Sequence, residues 1–118
     1  MPRRRLTSIA AASAVAVIVL LVNSGHVEAR SGTPQVVTIE IHNFEFQPAN
    51  ATVHPGDTVE WKNEDDASHT ATAKTPKPGF DSGLIQSGAT WRYEARDKGT
   101  YNYICTIHPY MKGTLIVQ

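Results

Sequence analysis

Cys105, His108 and Met111 recur at steps of three within one short stretch, Cys105-Thr106-Ile107-His108-Pro109-Tyr110-Met111, and Cys105 is the only cysteine of the chain. A further histidine, His69, lies well upstream. One thiolate, two imidazoles and a thioether are soft or borderline donors. Together they make the His₂Cys set with a weak axial methionine that suits a single copper ion. Side chains at i, i+3 and i+6 converge only where a tight loop curls around one point, because a regular strand would scatter them over both faces of its sheet. The spacing predicts a ligand loop between two strands, with His69 supplied from elsewhere in the fold.

The start of the chain bears on the lone cysteine. Arg3, Arg4 and Arg5 form a basic stretch, Leu6 to Val22 is an uncharged run rich in Ala, Val, Leu and Ile, and Val27-Glu28-Ala29 offers small residues for cleavage. Residues 1–29 read as an export signal peptide. The apolar run is at the short edge of what spans a bilayer, so a retained N-terminal anchor is the alternative. The arginines match too loosely to assign a twin-arginine route. Export leads to compartments where disulfides form, and a lone cysteine has no internal partner there. Burial as an inert thiol is a common fate for a free cysteine. The presence of His108 and Met111 at ligand spacing favours metal ligation instead.

Behind the leader, residues 30–35 read as a flexible N-terminus and residues 36–118 as one domain, just long enough to close a single hydrophobic core. From Arg30 onward eight Lys/Arg face ten Asp/Glu, close to neutral, with no basic stripe. Nucleic acid is therefore not expected as a partner.

The elements that must carry the donors alternate with a period of two. Val37, Ile39 and Ile41 oppose Thr38, Glu40 and His42, and Phe44 and Phe46 continue the pattern after a break at Asn43. Pro55-Gly56-Asp57 is a turn before a strand over 58–62, with Val59 and Trp61 facing inward. Further strands are expected over 69–73, in a short edge segment at 80–83, and over 90–95, where Trp91 and Tyr93 oppose Arg92 and Glu94. The last two run over 100–105, with Tyr101, Tyr103 and Cys105 on one face, and over 113–117. The expected fold is all-β, a Greek-key β-sandwich of about seven to eight strands. Such a rigid scaffold holds one ligand geometry for both copper oxidation states.

These segments resemble the cupredoxin family over nearly all of residues 36–118. Ile41-His42-Asn43-Phe44-Glu45-Phe46-Gln47-Pro48 is similar to the family's opening strand, and Pro55-Gly56-Asp57-Thr58-Val59-Glu60-Trp61-Lys62-Asn63 to the turn and strand before the upstream ligand. Asp65-Asp66-Ala67-Ser68-His69-Thr70 resembles the segment of the first histidine, and Gly99-Thr100-Tyr101-Asn102-Tyr103-Ile104-Cys105 the strand into the ligand loop. The two-residue gaps on both sides of His108 look like amicyanins, whereas plastocyanins and pseudoazurins typically have a longer gap before the methionine. The resemblance implies a type 1 (blue) copper centre, with His69, Cys105 and His108 as strong equatorial ligands and Met111 as the axial one. Two positions depart from the pattern. Thr70 stands where an asparagine typically follows the upstream histidine; its backbone N–H is still expected to reach the Cys105 thiolate, but a hydroxyl must replace the amide clamp. Ile107 stands where amicyanins have proline, which restores a backbone donor expected to point at the Cys105 sulfur.

Other residues with potential chemistry carry less. His42 and His54 lack a second ligand at suitable spacing and read as solvated, and His26 belongs to the leader. Trp61 and Trp91 read as core rather than as electron-transfer waypoints. Glu64-Asp65-Asp66 reads as a solvated loop rather than an acidic docking patch. Pro109 and Tyr110 flank His108, either as an apolar rim for a partner or as loop packing.

A closed four-donor copper site leaves no open position for a substrate, and no hydrolytic constellation is visible. The expected function is that of a one-electron carrier, not an enzyme, cycling one copper ion between Cu(I) and Cu(II) outside the cytoplasm, periplasmic or otherwise exported. Its partners are a redox protein donor and acceptor docking near His108, Pro109 and Tyr110. No small-molecule substrate is expected, a membrane only if the leader is retained, and the chain is read as a monomer. The alternative is an exported protein that stores or delivers copper. Delivery sites are typically exposed and rich in methionine or histidine, whereas Met111 is the only methionine besides the initiator.

Overall fold

The computed structural model describes residues 32–118. The expected leader or anchor over 1–29, His26 with it, and the first two residues of the 30–35 segment lie outside the described residues. Among the described residues nine strands form: β1 (Val36–His42), β2 (Glu45–Gln47), β3 (Asn50–Val53), β4 (Thr58–Asn63), β5 (Thr72–Ala73), β6 (Phe80–Asp81), β7 (Thr90–Glu94), β8 (Gly99–Ile104) and β9 (Lys112–Val117). They make two sheets, ordered β2-β1-β4-β7 and β3-β9-β8-β5-β6. The all-β sandwich is therefore as expected, with a strand more than the seven to eight anticipated. The strand that escaped the reading is β3, because Asn50-Ala51-Thr52-Val53 is short and weakly apolar. It is stabilised by parallel pairing with β9 along Asn50↔Thr114 to Val53↔Val117.

The chain passes repeatedly from one sheet to the other, so strands from along the whole described chain line both walls of one core. Strands β1 and β4 pair in parallel, from Val36↔Thr58 to Ile41↔Asn63, and β7 closes antiparallel on β4. Period-two alternation decides which side chains enter. Ile39, Ile41, Val59 and Trp61 are fully buried from one sheet, and Tyr101, Tyr103, Leu115 and Val117 are buried from the other. Phe80 packs among Trp61, Tyr93 and Tyr103. Trp91 lies at the margin, partly buried against the Trp61 indole. Both tryptophans belong to the packing, as expected.

Two local features bear on the metal donors. The expected strand over 69–73 is only Thr72–Ala73, and His69 sits before it in an isolated bridge to Ile85. Strands β1 and β2 are joined by a two-residue hairpin, with His42 paired to Glu45 and both loop residues left-handed: Asn43 at φ 51° and Phe44 at φ 58°. Phe44 therefore does not continue the strand alternation toward Phe46. It leaves the sheet and stands over the donor cluster.

Candidate metal centre

Strand β8 ends at Ile104, and Cys105 opens the loop that returns into β9. Three backbone bonds close that loop. The Cys105 amide donates to the Met111 carbonyl (3.1 Å), the His108 amide to the Cys105 carbonyl (3.3 Å), and the Met111 amide to the His108 carbonyl (2.8 Å). This is the tight curl that the i, i+3, i+6 spacing demanded. His69 comes from the segment just before β5, the strand next to β8, held by reciprocal backbone bonds with Ile85.

His69, Cys105 and His108 meet, with one donor atom of each inside a sphere of mutual distances below 4.8 Å. The two imidazole Nδ1 atoms are 3.1 Å apart, and Cys105 Sγ lies 3.8 Å from that of His69 and 3.6 Å from that of His108. A point equidistant from the three corners of that triangle lies about 2.0 Å from each, the length of a nitrogen–metal bond and slightly short of a sulfur–metal bond. The donor chemistry and the spacing both fit one transition-metal ion. Met111 is buried beside them at 2 % exposure, His69 and Cys105 are fully buried, and His108 is half-buried.

The groups around the donors fix their orientation. The Thr70 amide donates to Cys105 Sγ (3.3 Å), and among the described residues it is the only backbone amide bonded to that sulfur. The Ile107 amide makes no such bond, which corrects the expectation attached to it. The Thr70 amide reaches the sulfur as expected. The missing asparagine is replaced as anticipated: the Thr106 amide donates to Thr70 Oγ1 (2.8 Å), and the two threonine hydroxyls are 3.1 Å apart.

Asp65 is the residue that sequence reasoning missed. Its sequence context, between exposed Glu64 and Asp66, reads as a solvated loop, yet its side chain is only 9 % exposed. Asp65 Oδ2 accepts from the His69 ring at Nε2 (2.9 Å) and from the Phe44 amide (2.9 Å), while Oδ1 accepts from the Asn43 amide (2.7 Å). Assigned from this network, the His69 proton sits on Nε2 and the Nδ1 lone pair faces the cluster. Burial pushes the Asp65 carboxyl up, but the Phe44 and Asn43 amides and the His69 ring outweigh it, and the carboxyl ends below its usual range. Its signal in the sequence is faint: an aspartate four residues before a histidine, following the buried Asn63, whose side-chain oxygen accepts from the Asp65 amide (2.9 Å).

The surface above the cluster is apolar. The Phe44 ring meets both histidine rings edge to face, at 5.1 Å from His69 and 5.0 Å from His108. Tyr110 lies beside His108 at 6.1 Å and is 68 % exposed, and Ile107 is 50 % exposed. Pro109 is exposed next to them. His42 is exposed on the outer side of β1, and His54 lies 3.8 Å from Asp57; neither joins the cluster.

The family model for the cupredoxin-like domain matches residues 11–117. Amicyanin-alpha of Methylorubrum extorquens is 30% identical over 119 residues, covering 97% of this chain and 99% of that protein. Amicyanin of Paracoccus versutus is 27% identical over 85 residues, covering 70% of this chain and 64% of that protein. A solved structure of an amicyanin variant in its Cu(I) form superposes with a TM-score of 0.66 at 22% identity, over 70% of this chain and 82% of that one.

Proposed function

The chain belongs to the cupredoxin-like family, and from that premise we propose that it is a type 1 copper protein that carries single electrons between redox proteins outside the cytoplasm. It is an electron-transfer protein, not an enzyme. His69 Nδ1, Cys105 Sγ and His108 Nδ1 would hold the ion as strong donors, with the Met111 thioether as the weak axial one. When bound, copper supplies a one-electron couple between Cu(I) and Cu(II).

The residues of this chain do the rest. The triangle of 3.1, 3.6 and 3.8 Å is the observation that carries the reading, because it presents His₂Cys at metal-bond spacing on a rigid sandwich. The short backbone bonds within the 105–111 loop and the Thr70–Thr106 tie keep that triangle in one geometry, so little rearrangement accompanies a change of charge. The Thr70 amide withdraws electron density from the sulfur and favours the reduced state. Copper delivery is the less favoured reading, since two of the three strong donors are fully buried.

Docking is supported by the half-buried His108 edge within an apolar rim of Phe44, Ile107, Pro109 and Tyr110. Apolar groups around the imidazole let a redox partner come close enough for tunnelling, with little desolvation cost. The proposed location is the periplasm, reached through the leader over 1–29, and the proposed state is a monomer. The test is a visible spectrum and cyclic voltammetry of the copper-loaded protein beside Cys105→Ser. An intense visible band and a reversible one-electron wave, both lost in Cys105→Ser, are expected. A variant that stayed intensely coloured with copper bound would overturn the thiolate's role, and rapid copper loss to an apo-acceptor without reversible electrochemistry would point to delivery.

A further inference from the structure

A two-residue hairpin with both loop residues left-handed calls for glycine at the second position, and here it carries phenylalanine. A bulky residue at φ 58° is a strained choice, and such outliers persist where the surroundings over-determine them. The surroundings here are one carboxylate. Asp65 accepts both hairpin amides, Asn43 at 2.7 Å and Phe44 at 2.9 Å, and with the oxygen that holds Phe44 it also accepts the His69 Nε2 proton at 2.9 Å. The ring delivered by that hairpin lies edge-on against both donor histidines.

We propose that Asp65 is a positioning residue with two linked tasks: it fixes the His69 ring with Nδ1 toward the metal, and it pins the strained hairpin that sets Phe44 as a lid over both histidines. This deepens the copper reading and rests on it. A carboxylate on the far nitrogen of a ligating imidazole raises the basicity of the near one and stabilises the more highly charged ion. The lid works oppositely, since excluding water disfavours the more highly charged ion. Losing Asp65 and losing the Phe44 ring therefore have opposite signatures in the reduction potential.

The experiment compares the full chain with Asp65→Ala, Asp65→Asn and Phe44→Gly, loading each with copper. Affinity is read by chelator competition, potential by voltammetry, and the hairpin by amide hydrogen exchange at Asn43 and Phe44. In Asp65→Ala the expected results are copper affinity lower by roughly ten- to a hundredfold, a higher potential, and faster exchange at both amides. Asp65→Asn preserves the shape with one acceptor oxygen, so it should raise the potential with a smaller loss of affinity. Phe44→Gly relieves the backbone strain, so the metal-free protein should be at least as stable as wild type. It should nevertheless release copper faster and have a lower potential. Wild-type affinity and potential in both Asp65 variants, or wild-type copper release in Phe44→Gly, would overturn the proposal while leaving the copper reading intact. A wild-type chain that took up no copper would overturn both.

Discussion

Thr70 and Thr106 meet hydroxyl to hydroxyl at 3.1 Å, joining the segment that carries His69 to the loop that carries Cys105, His108 and Met111. Thr70 Oγ1 also accepts the Thr106 amide at 2.8 Å and meets the Thr72 hydroxyl at 3.1 Å, and Thr72 in turn reaches Asp81 at 3.1 Å. A hydroxyl offers one donor and two acceptor positions, so this small side chain is fully used. The Thr70 backbone, independently, donates to the Cys105 sulfur.

Thr70→Val separates the two roles, because valine keeps the branched shape and loses the oxygen. The Thr106 amide then loses its acceptor; Thr106 is exposed and water replaces the bond in part, so the cost is about 0.5–1.5 kcal/mol. Thermal unfolding of the metal-free protein should show that loss, and Thr70→Asn should recover part of it by offering a new acceptor. The visible band of the copper-loaded variant should persist, because the amide-to-sulfur bond does not involve the side chain. A variant as stable as wild type would show that the hydroxyl clamp carries no weight.

The donors were legible because their chemistry is local: Cys105, His108 and Met111 announce a loop by spacing alone, and a lone exported cysteine demands a purpose. The strands were legible where burial imposes a clean period of two, as in Val36–His42 and Thr58–Asn63. Phe44 was misplaced for the same reason, since the alternation from Ile41 to Phe46 runs through a hairpin whose left-handed residues leave no mark in hydropathy. Asp65 was hidden because its partners, Asn43, Phe44 and His69, converge only through the pairing of β1 with β4. Charge runs look solvated until tertiary structure turns one member inward.

Ile107→Pro tests whether the sulfur is held by Thr70 alone among the backbone amides. Proline there deletes an amide that makes no bond to the sulfur, and the side chain it replaces is half exposed. The reduction potential of Ile107→Pro should therefore stay close to that of wild type, with the visible band unchanged. A marked downward shift in voltammetry at one pH would mean that the amide reaches the sulfur once copper is bound.

Gly113 is a position at which the scaffold has no space for a side chain. It faces Tyr103 across the β8–β9 ladder, and a β-carbon there would land on the ring and hydroxyl of Tyr103. Tyr103 is itself wedged between Phe46 and Trp61, at 1 % exposure, and has no room to retreat. Gly113→Ala should cost roughly 3 kcal/mol, the upper part of the range for overpacking. Chemical denaturation measures it, and adding Tyr103→Leu should return part of the loss in a coupled, non-additive way. Additive effects would mean that the two sites do not collide.

Met111→Leu tests the fourth donor. Met111 is 2 % exposed, and its backbone closes the loop in both directions, receiving the Cys105 amide and donating to the His108 carbonyl. Leucine keeps those backbone bonds and nearly the same volume, so the metal-free fold should lose less than about 1.5 kcal/mol. Copper should still bind, because the three short-range donors are untouched. The thioether gives weak axial density that stabilises the oxidised ion more than the reduced one, so its removal should raise the reduction potential. Voltammetry beside a thermal melt decides the matter. A higher potential on an intact fold is the expected result, whereas an unchanged or lower potential on the same intact fold would remove Met111 from the ligand set and leave it a packing residue.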